Sequence, residues 1–438
     1  MIKNNDKKLV KQTMDFALKN GCQAVKIRLS CGTNSVFEVR DMKVDYLQQA
    51  SENSLEINLF VDDRYGSFST NRLDKKEIEK LILNGIDSVK YLEEDKARTL
   101  PDSSLYYKGN DDLQLFDFKY DTIKPDDKID LAKSVCNEMM NKDSRIISAN
   151  SIYRDNKSFR YMITSNGFEG ETSATSFRLY ASISIKGDGD ARPESEWYDS
   201  SIYIDSLIKE GIGTKALERV IKKLGQTKVS SGKYTMVVEN VKVNNLLNPM
   251  INALYGNSIQ QKNSFLVDKL NQKVLGENIT IMDEPHLPKT FGARFFDSEG
   301  IATKHQPIFE KGVLKTYFID TYSGNKLNMA PTVGSPSILT LELGNKNLEG
   351  LISSVKKGIL VTGFNGGNSN STTGDFSYGI EGFMIENGIL TDPVNEMNIT
   401  GNFLTLWNNL KEAGNDPFKA SSWKIPSLVF EGVDFSGL

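Results

Sequence analysis

Two histidines and three cysteines restrict the chemistry open to this chain of 438 residues more than any other feature. His286 sits in Glu284-Pro285-His286-Leu287-Pro288, and His305 follows Lys304 in a predicted loop. Neither has a second histidine at i+4 or a cysteine nearby, so no metal site of recognisable spacing is present. Each is either a general base or a solvated loop residue. Cys22, Cys31 and Cys136 are an odd number without close spacing, which fits reduced thiols in a cytosolic protein. Cys136 falls on the apolar side of a helical pattern and is expected in a core. There is no G-x-S-x-G elbow, no phosphate loop and no Cys/His pairing. The remaining candidates are carboxylates: Asp297, Glu299 and Asp375 either do acid–base or metal chemistry or cap turns. Gly187-Asp188-Gly189-Asp190 looks superficially like a calcium loop, but Glu194 and Glu196 are off the spacing such a loop needs, and a hairpin turn is the expectation.

Composition narrows the partners. Net charge is −4 with acidic and basic residues interspersed, so there is no basic footprint for direct nucleic-acid contact. The first residues lack the apolar core of a signal peptide, and nowhere do about 18 apolar residues run together, so a cytoplasmic protein without a membrane span is expected. The length exceeds what a single core usually supports and predicts two or three domains.

The elements that must position these residues follow from periodicity. A helix is predicted over 6–20, with Val10, Thr13, Met14, Ala17 and Leu18 on one face and Gly21 at its C-terminal end. Alternation predicts strands over 24–29, 36–39 and 55–61, a turn over 62–66, and a helix opened by Asp74 and Glu77. Residues 93–125 are polar and punctuated by Pro101 and Pro125, as a connection should be. The same order then returns: a helix capped by Asp126 or Asp127, strands over 145–153, 159–164, 175–186 and 197–204, and a long helix from Asp205 to Leu224. The fold class is therefore α+β, with a duplicated α/β N-terminal domain over 1–228 (units 5–92 and 126–225) and a β-rich C-terminal domain over 229–438.

Residues 361–401 are the most unusual stretch, carrying Gly363, Gly366, Gly367, Gly374, Gly379, Gly382 and Gly388 between apolar runs. Glycine here supplies either close-approach loops on a sheet or plain β-turns. Asn387-Gly388 reads as a two-residue hairpin turn.

The segments Ser264-Phe265-Leu266-Val267-Asp268-Lys269-Leu270, Phe296-Asp297-Ser298-Glu299-Gly300, Gly366-Gly367, Thr373-Gly374-Asp375-Phe376-Ser377 and Gly382-Phe383-Met384-Ile385-Glu386-Asn387-Gly388 together resemble the TldD/PmbA family. Asn166-Gly167-Phe168 extends the likeness into the first half. The resemblance implies the same two-part fold, a cytoplasmic location, and a role in maturing or degrading peptides. In TldD-type members a helix carries His-Glu-x-x-x-His and a C-terminal cysteine completes a zinc site, leaving a position where water can be activated. The corresponding positions here are Asn248, Pro249 and Ala253, and no cysteine follows Cys136. The chain thus resembles the PmbA, or TldE, branch, a noncatalytic partner with no cofactor of its own. Zinc is expected in a TldD-type protease subunit with which it forms a heterodimer; self-association as a homodimer is the other option.

The lost ligands beside a retained glycine-rich segment suggest a chain that shapes a shared chamber and holds an extended peptide by backbone along glycine-flanked strand edges, with Gly366, Gly367, Thr373, Gly374, Asp375 and Phe376 as candidate peptide-binding or chamber-lining residues. Two other readings stand beside it: an autonomous metallopeptidase using Asp297, Glu299 or Asp375, and an interaction protein linked to DNA gyrase, as the family's older name suggests.

Overall fold

The structure, a computed structural model, describes residues 2–437. Its first half runs α1 (Asn4–Lys19), β1 (Ala24–Arg40), β2 (Lys43–Val61), β3 (Arg64–Thr70) and α2 (Lys75–Val89). It then repeats the order as α3 (Pro125–Met139), β4 (Ile146–Thr164), β5 (Glu169–Ile185), β6 (Glu194–Ser201) and α4 (Ile212–Lys222). The six strands form one antiparallel sheet in the order β3-β2-β1-β4-β5-β6, so the two units meet back to back through β1 and β4.

The strands are longer than alternation predicts. Residues 24–29 and 36–39 belong to one strand, and 145–153 and 159–164 belong to another. The central strands serve two cores on the same face. Val25, Ile27 and Leu29 pack under α1 and α2 while Phe37 and Val39 pack under α3 and α4, and the polar interval between them covers neither core. Main-chain pairing runs unbroken across that interval, with Cys31 facing Phe159 and Asn34 facing Asn156.

Helix ends follow local chemistry with two corrections. Asp74 caps α2 by accepting from the N–H groups of Lys76 and Glu77, as its spacing predicts. At α3 neither Asp126 nor Asp127 is the cap. Pro125 already occupies the first turn, and the Asp127 carboxylate reaches back to the N–H of Lys124 at 3.0 Å. The last helix of the half starts at Ile212 rather than Asp205. Gly211 is left-handed at φ +80°, and Glu138 of α3 caps the helix from outside, accepting from the N–H groups of Gly211, Gly213 and Thr214.

The second half contains β7 (Gly232–Val238), α5 (Asn244–Asn252), α6 (Gly256–Gln260), β8 (Ile281–Asp283), β9 (Gln306–Glu310), β10 (Val313–Leu314) and α7 (Thr321–Leu327). It continues through β11 (Leu339–Leu341), α8 (Leu348–Ser353), β12 (Lys357–Ser369), β13 (Asp375–Glu386), β14 (Ile389–Asn402), α9 (Phe403–Asn408), β15 (Leu410–Ala413) and β16 (Leu428–Ser436). A six-stranded sheet, β14-β13-β12-β7-β16-β15, gains a further β14–β16 pairing that closes it around the largest core; β10-β9-β8-β11 form a small second sheet. The halves touch through aromatic rings, with Phe168 at 5.1 Å from Phe296 and Tyr107 stacked on Phe295 at 5.0 Å. Among the described residues no helix is long and apolar enough to cross a membrane.

Candidate functional site

The glycine-rich segment is a bulged meander of β12, β13 and β14. Asn387 and Gly388, at φ +51° and +81°, make the tight turn between β13 and β14. The other glycines mainly serve close approach. A Cβ on Gly382 would lie 1.8 Å from the Leu360 carbonyl oxygen, and one on Gly379 would lie 2.5 Å from that of Asn365. Register shifts fall at these places, between Val361 and Gly363, Phe364 and Gly367, and Ile380 and Gly382. The close-approach reading therefore holds, on bulged strands rather than loops.

β12 is asymmetric in its pairing. Residues Gly358 to Val361 are held on both sides, by β13 and by β7, whereas beyond Val361 the strand pairs with β13 alone. From Asn365 onward it is exposed. Gly366 and Gly367 lie on this one-sided stretch. Thr373 and Asp375 lie on the exposed turn into β13, where the Asp375 carboxylate accepts from Asn402 Nδ2 at 3.0 Å and from the Thr373 hydroxyl at 2.6 Å. Those two hydrogen bonds, Asn402's first, hold its carboxyl below the usual range. Gly374 is buried beside Phe265, and Phe376 points into the core, its ring 4.8 Å from that of Phe403.

The other candidate acids are committed elsewhere. Asp297 is buried and accepts from the N–H groups of Glu299, Ile301 and Gly334. Glu299 accepts from the N–H and hydroxyl of Thr321 at the start of α7, and burial raises its pKa. His286 Nε2 contacts the Thr303 hydroxyl at 3.1 Å, and exposed His305 pairs with Glu284 at 2.7 Å. Gly187-Asp188-Gly189-Asp190 is the β5–β6 turn, closed by the Gly187 N–H donating to the Ala191 carbonyl.

Asp283 is the acid that pattern reading missed. It is fully buried, accepts from the N–H groups of Ser337 and Ile338 through Oδ1, and leaves Oδ2 without a hydrogen-bond partner among the described residues. Desolvation raises its pKa to about 6. The folded chain then holds a proton that the unfolded chain releases near pH ~3.9, so this increment of stability is whole below about pH 4 and lost as pH rises through about 6. Asp283→Asn is expected to raise the unfolding midpoint at pH 7 and to flatten stability between about pH 4 and pH 6. Urea titrations across that range check it.

The stretch corresponding to the zinc helix does not fit the metal. Asn248 projects an exposed amide from α5, Pro249 interrupts the helix interior, and Ala253 presents a buried methyl group just past its end. Neutral amide, imino ring and methyl supply none of the imidazole, thiolate or carboxylate donors zinc takes. No group of three or more His, Cys, Asp or Glu side chains comes together elsewhere among the described residues.

What the fold does assemble is a cavity of about 740 Å³ between the uncovered face of β5 and β6 and the start of the one-sided β12 stretch. Arg178, Tyr180 and Tyr198 line it from the first half, and Thr362, Gly363 and Phe364 from the second. Two ion pairs join the halves beside it. Arg219 grips Glu239 in a two-pronged pair at 2.7 and 2.8 Å, and Lys223 bridges Glu381 and the Glu194 carbonyl, each at 2.6 Å. Nothing in the sequence groups these residues, since they come from segments some 180 positions apart.

Residues 118–224 match the PmbA/TldA metallopeptidase central domain, and residues 231–437 match the PmbA/TldA metallopeptidase C-terminal domain. The metalloprotease PmbA of Escherichia coli O157:H7 is 25% identical over 98% of this chain and 97% of its own. A metalloprotease PmbA homolog of Buchnera aphidicola subsp. Baizongia pistaciae is 30% identical over 86% and 85%. The crystal structure of a candidate modulator of DNA gyrase from Bacteroides thetaiotaomicron shares 61% identity, spans all of both chains and superposes with a TM-score of 0.98. TldE from Thermococcus kodakarensis, 18% identical, has the same fold, with a TM-score of 0.87 over 98% and 100%.

Proposed function

Because this chain belongs to the PmbA/TldD metallopeptidase family, we propose that it is a noncatalytic, cytoplasmic subunit that pairs with a zinc-bearing TldD-type protease and holds an extended peptide for it. The observation that carries this reading is a contrast within one half. The positions that would ligate zinc hold Asn248, Pro249 and Ala253, while beyond Val361 β12 pairs with β13 alone and, exposed from Asn365 to Ser369, offers main-chain N–H and C=O groups on its other side. A strand edge of this kind recruits a guest strand by backbone hydrogen bonds, which suits cleavage of varied sequences. Bulges and left-handed glycines at Gly366 and Gly367 keep the edge from pairing indiscriminately.

Three measurements on the purified chain test the reading. Elemental analysis is expected to give far less than one zinc per chain. An unstructured peptide is expected to survive incubation with the chain alone. Gel filtration with a TldD-type subunit is expected to give a joint peak that cleaves the peptide. Stoichiometric zinc with cleavage by the chain alone overturns the proposal. A lone homodimer that ignores the TldD-type subunit removes the heterodimer part of it.

A further inference from the structure

The cavity at the start of the β12 edge has charges that the backbone-capture reading leaves unused. Five cations line it, and four are neutralised: Arg40 by Asp45 at 3.0 Å, Arg219 by Glu239, Lys223 by Glu381, and Lys242 by Glu196 at 3.4 Å. Arg178 has no ion-pair partner among the described residues. Its guanidinium lies 4.1 Å from the centre of the Tyr198 ring and 5.6 Å from that of Tyr180. Stacking of this kind holds the planar fork in place through its face and leaves its N–H groups free to donate. Directly opposite Arg178 in the β4–β5 register stands Arg154, which also lacks an ion pair among the described residues. Like charges facing each other across a strand pair are unfavourable until an anion arrives between them. Among the three lining carboxylates, Glu381 is paired with Lys223, and Glu196, paired with Lys242, also feels the Arg178 charge from beyond ion-pair distance; Glu194 lies six residues further along the sheet, opposite Ser184, or about 20 Å from Arg178 at strand rise. With Arg154 and Arg178 together against the one carboxylate, Glu196, that acts on Arg178 and is already paired with Lys242, the Arg178 end keeps an excess of positive charge and is preformed.

We infer that Arg178, with Arg154 beside it, is a carboxylate subsite for the peptide held at β12. This rests on the backbone-capture reading given above. Gly363 and Phe364 line the cavity while Gly366 to Ser369 lead away from it, so a guest laid antiparallel to β12, opposite in sense to β7 on that side, brings its C-terminal end to the cavity. The ligand chemistry is a carboxylate, from a free C-terminus or an acidic side chain near it.

The test uses the full chain and a decapeptide of Gly, Ser, Thr and Leu with a fluorophore on its N-terminus, read by anisotropy. Three versions are compared: free C-terminal acid, C-terminal amide, and the amide with a Glu as its penultimate residue. The acid is expected to bind roughly tenfold or more tighter than the amide, as a charge-assisted contact implies. Arg178→Gln is expected to bring the acid to the level of the amide without changing amide binding, and Arg178→Lys to keep part of the difference. Recovery of tight binding by the Glu-containing amide assigns the subsite to an acidic side chain; no recovery assigns it to the terminus. Equal binding of all three versions, or an acid preference that survives Arg178→Gln, overturns the subsite and leaves edge capture standing. Failure of every version to bind overturns both.

Discussion

Gly382→Ala is expected to disrupt the sheet that carries the β12 edge. The new methyl carbon would lie 1.8 Å from the Leu360 carbonyl oxygen, 2.8 Å from its carbon and 3.2 Å from Val361 Cα, all backbone atoms with no rotamer to yield. β13 is held on both sides, by β12 and β14, so relief requires moving a paired strand and not a loop. Overpacking of a tight interior costs about 1–3 kcal/mol, and a clash with fixed backbone belongs at or above the top of that range. Gly366→Ala is the matched control. Its φ of +76° strains any other residue, but nothing lies within 4 Å of the added carbon, so about 1 kcal/mol is expected. Urea unfolding followed by circular dichroism should show a large drop in midpoint for the first variant and a small one for the second. Equal midpoints would mean that the Leu360–Gly382 approach is not a constraint on the fold.

Lys128→Met is expected to cost about 3–5 kcal/mol, because it strands a buried carboxylate. Lys128 Nζ lies 2.6 Å from Asp155 Oδ2, with the two side chains 3% and 0% exposed, and the Tyr120 hydroxyl donates to Asp155 Oδ1 at 2.7 Å. The pair ties α3 to the middle of β4, with Lys128 Nζ also lying over the core rings of Phe37, Tyr120 and Tyr153. Removing the cation leaves the carboxylate with one tyrosine hydroxyl in place of a full countercharge. The double variant Lys128→Met with Asp155→Asn keeps an acceptor for Tyr120 and no charge. It is expected to be more stable than Lys128→Met alone, giving a coupling of roughly 1–3 kcal/mol in a double-mutant cycle. Additive losses would show that the two groups do not act as a pair.

Both cases mark where sequence reading stops. An amphipathic repeat such as Ile78, Ile82, Ile86 and Val89 depends only on which face of one helix is dry, so α2 and its Asp74 cap are legible from neighbours in the chain. The Asn387-Gly388 turn is legible for the same reason, since two positive φ values are a local demand. The scarcity of zinc donors at Asn248, Pro249 and Ala253 is likewise a matter of composition. Pairing is different. Residues 30–35 join two predicted strands into one because β2 and β4 offer them main-chain partners, and hydrogen bonds between backbones carry no residue code. The start of α4 depends on a carboxylate from another helix, Glu138.

The amino-acid order alone thus determined the two repeated units, the β-rich second half, and the glycine positions that a bulged meander needs. Tertiary structure alone decided that β12 outruns β7, that Asp155 and Lys128 meet in the dark, and that Arg178 lines a cavity with no ion-pair partner among the described residues. The physical reason is range. Periodicity and caps report forces between residues a few positions apart, whereas a bare edge, a buried ion pair and a cavity wall are set by which distant segments arrive, and which do not, at one place in space.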